Sequence, residues 1–280
     1  MAVLVADTAW VDPGARLEDG VEIGPFCIVG PSVVIGRCTR LAGHVCIQRG
    51  VIIGARNTFE PFCVIGAESS PRPDQSPVEP ALEIHDGNRF QEGVIVSRGI
   101  SAASGPTRIG GHNQLAAHAQ VGPSCRLADH TVVSSGVLLG RSVEVLSHAT
   151  LSPAVVVHHD VTIGEQSFVG PQSRIYHDVP PFMLVDGHPA RVRCINIVSL
   201  KRQGLAAAEI EALHEAHRLV FRAKMSLAKA CETLSGHGHS SPAVDRLFSF
   251  LRVQDEGRHG RARDHQTQDA RHNGVREVPA

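Results

Sequence analysis

The chain is expected to be an all-β solenoid, a parallel β-helix of six-residue repeats, closed at its C-terminal end by a small α-helical domain. Three observations lead there. Large apolar residues recur at every sixth position, aromatic residues are few, and the periodicity turns helical after Gly204.

The repeat carries most of the weight. Stepping by six from Val11 gives Leu17, Ile23, Val29, Ile35, Leu41, Ile47, Ile53, Phe59 and Ile65 without a miss. The phase then breaks, and Ile84, Phe90 and Val96 make a short second run. A third run starts at Ile109 and holds through Leu115, Val121, Leu127, Val133, Leu139, Val145, Leu151, Val157, Ile163, Val169 and Ile175. At roughly 45% apolar usage, chance produces the two long runs together less than about once in a million trials. Sandwich strands alternate by two and hold no six-residue phase. Each hexad is therefore a short strand plus a corner. Three hexads close one coil, so each inward residue stacks on the one eighteen later. With coils about 4.8 Å apart, the hexads make roughly eight coils and a prism about 40 Å long. A thin interior of stacked Val, Ile and Leu also explains the small aromatic count of nine Phe, one Trp and one Tyr.

Two segments interrupt the phase. Residues 67–82 are rich in Pro and Ser, and residues 98–107 in Gly and Ser, so both are expected to project as loops. After Gly204, Ile210, Leu213, His217, Val220 and Phe221 share one face of a helix over about 206–224. Ser226 is placed to cap a second helix near 227–234. Ser241-Pro242 starts a third, with Val244, Leu247, Phe248 and Leu251 facing inward. From Asp255 on almost nothing is apolar, and the tail is expected to be disordered. Its His259, His265 and His272 make a poor case for a metal site. The expected organisation is a β-helix over 1–185, a helical domain over 186–254 and a tail over 255–280.

The bulk numbers exclude some classes. A net charge of -1 gives no footprint for nucleic acid. No apolar run approaches the ~18 residues of a membrane span, so no membrane insertion is expected. Seven scattered cysteines with no CxxC pair fit reduced thiols, and the N-terminus shows no signal-peptide pattern. A cytoplasmic location is the expectation.

The stretch VEIGPFCIVGPSVVIG (21–36), the DVPPFML segment (178–184) and NIVSLKRQGL (196–205) followed by helices resemble the acyl-carrier-protein–UDP-N-acetylglucosamine O-acyltransferases of lipid A biosynthesis. The likeness covers about residues 5–252. It implies a left-handed β-helix, a homotrimer with active sites in the clefts between subunits, and no metal or other cofactor. It implies transfer of a 3-hydroxyacyl group from acyl carrier protein to the 3-hydroxyl of UDP-N-acetylglucosamine. A histidine base takes the hydroxyl proton, and a backbone N–H steadies the tetrahedral oxyanion.

The resemblance also places the site, and there the chain departs from its pattern. The family's H-x-x-H-D-C hexad falls on Gln120-Val121-Gly122-Pro123-Ser124-Cys125. Cys125 matches, Gln120 stands for the first histidine, and Pro123 stands where the base is expected. The glycine of the family's Gly-His pair is Arg141 here, followed by Ser142. The histidine of the turn after PPF is Pro189, next to His188. The first loop offers Asp74 and Arg72 where the family uses an acidic residue and a lysine for the nucleotide sugar. His158, Asn196, Lys201 and Arg202 hold, and their family equivalents contact the acyl donor or the nucleotide. His159 shares the side of the prism that bears Pro123, two coils along. His118 is the local substitute for the base. The competing readings are structural: His118 and His130 as surface or subunit-contact histidines, His158-His159 as a subunit seam, and Lys201-Arg202 as a solvated helix start.

Three functions follow. The first is an acyltransferase of the resembled family, using His118 as base and Asp74, Gln120, Arg141, His158, His159, Asn196, Lys201 and Arg202 for binding. The second is a catalytically impaired homologue that binds ligand or partner subunits, since Pro123 replaces the base. The third is a hexapeptide-repeat transferase with another acyl donor, against which the C-terminal segment argues.

Overall fold

The computed structural model describes residues 2–68, 81–100, 104–236 and 241–256. Over these residues the chain is a left-handed parallel β-helix followed by a hairpin and four helices. Three parallel sheets, here A, B and C, form the sides of the prism. Sheet A contains Gln114–Leu115 and Val132–Val133, sheet B contains Gln120–Val121 and Leu138–Leu139, and sheet C contains Arg126–Leu127 and Glu144–Val145. Strands pair with an offset of eighteen residues, as in Gln120 with Leu138 and Leu138 with Val156. Across the first loop the offset is thirty-one, as in Thr58 with Arg89. Across the second it is twenty-five, as in Arg89 with Gln114. The phase therefore resumes after each insertion, and the inward columns continue through both. Val5 and Val185 extend the same columns at the two ends by pairing with Ile23 and Val169. Sheet A accordingly stacks ten parallel strands among the described residues, two more than its eight hexads supply.

The hexad residues are the core, and Ile35, Ile47, Leu115 and Val133 are fully buried. β-Branched side chains suit these extended segments, and each buried Val or Ile contributes roughly 1.5–3 kcal/mol before the entropy of ordering it. Phe59 and Phe90 stack inside sheet A at 4.5 Å between centroids. A second inward column, two residues earlier, is polar along sheet A. Asn57 Oδ1 accepts from the Asn88 backbone N–H, Asn88 Oδ1 from that of Asn113, and Asn113 Oδ1 from that of Thr131. Each buried amide thus satisfies the next coil.

Glycines after the inward residue answer a steric demand. A Cβ on Gly122 would lie 2.6 Å from the Leu139 carbonyl oxygen, and one on Gly140 would lie 2.7 Å from the His159 nitrogen. The corners themselves sit in the left-handed region, yet many are not glycine. Their side chains project outward and stack coil upon coil.

The hairpin Met183–Gly187 and Ala190–Ile195 extends sheet A. Helix α1, Ile197–Arg202, follows. Asn196 caps it, and Gly204 at φ +77° lets the chain leave it. Lys201 and Arg202 therefore lie in the last turn of a short helix, not at a helix start. Helix α2, Ala207–His217, runs on as a π-helical turn over Arg218–Arg222. Helix α3 covers Leu227–Gly236, and α4 covers Pro242–Asp255 with Ser241 as its side-chain cap. Arg246 of α4 holds the cap to the prism by a 2.7 Å pair with Glu165 and by lying over the Phe182 ring. The tail from residue 257 on lies outside the described residues, as do most of the first loop and Asp74 and Arg72 within it.

Candidate functional site

The B–C corner collects one group of expected residues. The Ser142 N–H donates to the Pro123 carbonyl at 2.9 Å, and the Asp160 N–H donates to the Arg141 carbonyl at 3.0 Å. Pro123, Arg141 and His159 thus stack in that order. Ser124, Ser142 and Asp160 each turn the corner at positive φ. Gln120 is exposed on the outer face of sheet B, and Arg141 is exposed beside it. His158 packs against His159 at 3.9 Å between rings, and His159 Nε2 lies 3.8 Å from Asp160 Oδ2. Cys125 faces the interior. Its Sγ–H donates to the Gly140 carbonyl at 3.0 Å, and burial pushes the thiol up to about 12. Such a thiol stays protonated and serves packing.

The second group lies at the C–A corner, across sheet C. A groove of about 340 Å³ opens between sheet A and α1. Its apolar wall is Val132, Phe168 and Leu184, with Thr150 and Val198 beside them. Its polar rim is His130, His148, Asn196, Ser199, Arg202 and Gln203. Asn196 is largely consumed by structure: it caps α1 and donates from Nδ2 to the Gln166 carbonyl at 2.8 Å. Arg202 lines the groove, whereas Lys201 is exposed on α1 and does not.

His112, His130 and His148 form an imidazole ladder along this corner. Ring centroids are 5.1 and 4.9 Å apart and the rings are nearly parallel. All three residues adopt positive φ. Gln203 reaches His148 Nδ1 at 3.2 Å. Burial, and then the charge of His130, holds His148 below the usual imidazole range. The direction is that expected for an imidazole stacked on another, since two adjacent positive charges repel. The eighteen-residue spacing of these histidines is legible in the sequence, but only α1 shows that His130 and His148 border a cavity.

His118 occupies a third place. It lies at the A–B corner at φ 58°, with its ring against Gly93. It and Pro123 bracket one sheet-B strand, about 16 Å apart at extended spacing. Within one protomer the structure does not bring them together. Pro189 and His188 sit exposed in the hairpin turn.

Comparison with known proteins gives a consistent answer. A family model described as UDP-N-acetylglucosamine O-acyltransferase, domain 2, matches residues 178–260. The acyl-[acyl-carrier-protein]–UDP-N-acetylglucosamine O-acyltransferase of Saccharophagus degradans is 40% identical over 250 residues, spanning 89% of this chain and 96% of that relative. The enzyme of the same description from Paracidovorax citrulli is 37% identical over 88% of this chain and 95% of its own length. Among solved structures, the UDP-N-acetylglucosamine acyltransferase of Bacteroides fragilis superposes with a TM-score of 0.83 at 26% identity, covering 89% of this chain and 97% of that one. The enzyme of Acinetobacter baumannii gives 0.80 at 29% identity, over 88% of this chain and 95% of its own.

Proposed function

Because the chain belongs to the UDP-N-acetylglucosamine O-acyltransferase family, we propose that it transfers a 3-hydroxyacyl group from acyl carrier protein to UDP-N-acetylglucosamine, opening lipid A biosynthesis. The observation that carries this is the amphiphilic groove at the C–A corner. Its apolar wall suits an acyl chain. Its rim of Ser199 and Arg202, set by Asn196 through its cap on α1, suits the polar arm of a carrier thioester or a nucleotide phosphate. Lys201, exposed beside it, adds attraction for an acidic carrier.

The protein works as a homotrimer on this reading, and its surface chemistry supports that arrangement. Sheet C faces outward with charged residues, including the pairs Arg108–Glu83 and Arg126–Glu144. Most exposed apolar residues gather instead around the A–B corner: Phe26 and Phe62 on the corner, Trp10, Ile28 and Leu138 on sheet B, and Leu4 on sheet A, with Ile52 on sheet C and Val198 on α1 apart from them. A three-fold axis running beside that corner packs sheet A of one protomer against sheet B of the next. The outer edges of those two sheets are the C–A and B–C corners. The groove of one protomer then faces Gln120, Arg141 and His158 of its neighbour, which form the acceptor side. By resemblance, Asp74 serves the nucleotide sugar. His118, beside the axis, is a subunit-contact residue on this arrangement.

In the reaction, the sugar 3-hydroxyl attacks the thioester carbonyl and its proton passes to an imidazole. Arg141 retains its own backbone N–H at the position of the family's glycine donor, and its guanidinium adds positive charge near the oxyanion. No helix of the described residues is long and apolar enough to cross a membrane. Unpaired cysteines fit a reducing compartment such as the cytoplasm. The test is turnover: purified protein is given 3-hydroxyacyl carrier protein and UDP-N-acetylglucosamine, and the nucleotide fraction is examined by mass spectrometry. Acylated UDP-sugar is expected. No product above the protein-free control overturns the reading.

A further inference from the structure

We propose that His130, from the imidazole ladder at the C–A corner of one protomer, is the general base for the cleft whose other wall carries Pro123 of the next protomer. The inference rests on the acyl-transfer reading and its trimer. It begins from a chemical requirement. Transfer needs an acceptor for the hydroxyl proton, and proline has none to offer.

Height along the solenoid selects the donor of the imidazole. Rotation about an axis parallel to the prism leaves height unchanged. Between residues 107 and 175 the strands advance one coil per eighteen residues without slippage. His130 follows Pro123 by seven residues, so it lies about 2 Å above Pro123 in the neighbouring protomer at ~4.8 Å per coil. His112 lies about 3 Å below, His148 about 7 Å above, and His159 about 10 Å above. Of the ladder residues that line the groove, His130 and His148, His130 is therefore the one at the level of Pro123. The ladder holds its ring between two others, nearly parallel at 5.1 and 4.9 Å. The titratable and charged groups that face it are His112 and His148 in the ladder, Asp129 on the same corner, Arg202 across the groove and, in the trimer, Arg141 and His158 of the neighbouring protomer.

The step balances with no further reagent. The acceptor oxygen forms a bond to the thioester carbon while its proton goes to the His130 imidazole. The tetrahedral oxyanion then collapses, the carbon–sulfur bond breaks, and the leaving thiolate takes the proton back from the imidazolium.

The test is His130→Asn, because asparagine tolerates the left-handed backbone of that corner. The expected result is a fall in kcat of about 10²- to 10⁴-fold with KM for both substrates little changed. The acid limb of the wild-type pH–rate profile should disappear with it. Wild-type kcat in His130→Asn overturns the inference and leaves the acyl-transfer reading standing. An inactive wild-type protein overturns the acyl-transfer reading itself. Should the variant fail to assemble, a crystal structure of the wild-type protein with UDP-N-acetylglucosamine decides. A His130 ring nitrogen within ~3.2 Å of the 3-hydroxyl supports the inference, and one beyond ~6 Å overturns it.

Discussion

Truncating Asn88 to alanine tests the buried amide ladder that holds the coils on both sides of the first loop in register. The side chain is fully buried. Its Nδ2 donates to Asn57 Oδ1 at 3.0 Å and to the His85 carbonyl at 2.9 Å, and its Oδ1 accepts from the Asn113 N–H at 2.8 Å. Two of those partners stay satisfied in Asn88→Ala. Asn57 Oδ1 keeps the Asn88 backbone N–H, and the His85 carbonyl keeps Asn57 Nδ2. The Asn113 N–H loses its acceptor in a dry interior. Three lost bonds at about 0.5–1.5 kcal/mol each, plus about 1–3 kcal/mol for that stranded donor, bring the cost to roughly 3–5 kcal/mol once overlap is allowed for. Urea unfolding measures the total, and hydrogen exchange at Asn113 localises it. A loss below ~1 kcal/mol with unchanged exchange at Asn113 would mean that the amide ladder does not hold the coils together.

Other outcomes follow from the same geometry. Burial first, then the charges of Arg222 and His214, lowers the pKa of His217 in the folded protein. The unfolded chain therefore binds more protons below about pH 6.5, and stability falls as pH drops through that value. His217→Leu should flatten the acid side of a plot of melting temperature against pH. Phe168→Ala deepens the groove, and steady-state kinetics should shift the preferred acyl chain longer. Each further CH₂ it buries is worth about 0.8 kcal/mol, close to fourfold in kcat/KM. Pro123→His should change kcat by less than about tenfold if an imidazole already reaches the site from the neighbour, whereas a gain of 10²-fold or more marks a missing base.

The solenoid was legible because the eighteen-residue return makes every hexad answer to its neighbours above and below. A single register error would have shown as a polar residue in the Val and Ile columns. The polar column was not legible. Asn57, Asn88 and Asn113 look like loop residues until backbone donors eighteen or more positions away are seen to need them. Helix α1 was missed as a separate element because six residues carry too little periodicity to register against the hairpin before it. The positions of Pro123, Arg141 and His159 on one corner followed from spacing alone. The groove did not, since its two walls come from sheet A and from a helix that returns only after the hairpin. His130 and His148 could be paired by their spacing, but nothing local says that an arginine of α1 and the glutamine at its C-cap face them.

On this reading each site is shared between two protomers, and mixed trimers put that to the test. His158→Ala cripples the B–C wall and Arg202→Ala cripples the C–A wall, so each variant alone should be nearly inactive. When the two are unfolded together and refolded at equal amounts, about one cleft in four joins two intact walls, and about a quarter of wild-type acyl transfer should return if the trimer is cyclic. Activity that stays at the level of the separate variants, in trimers shown by mass to be mixed, would contradict the shared site.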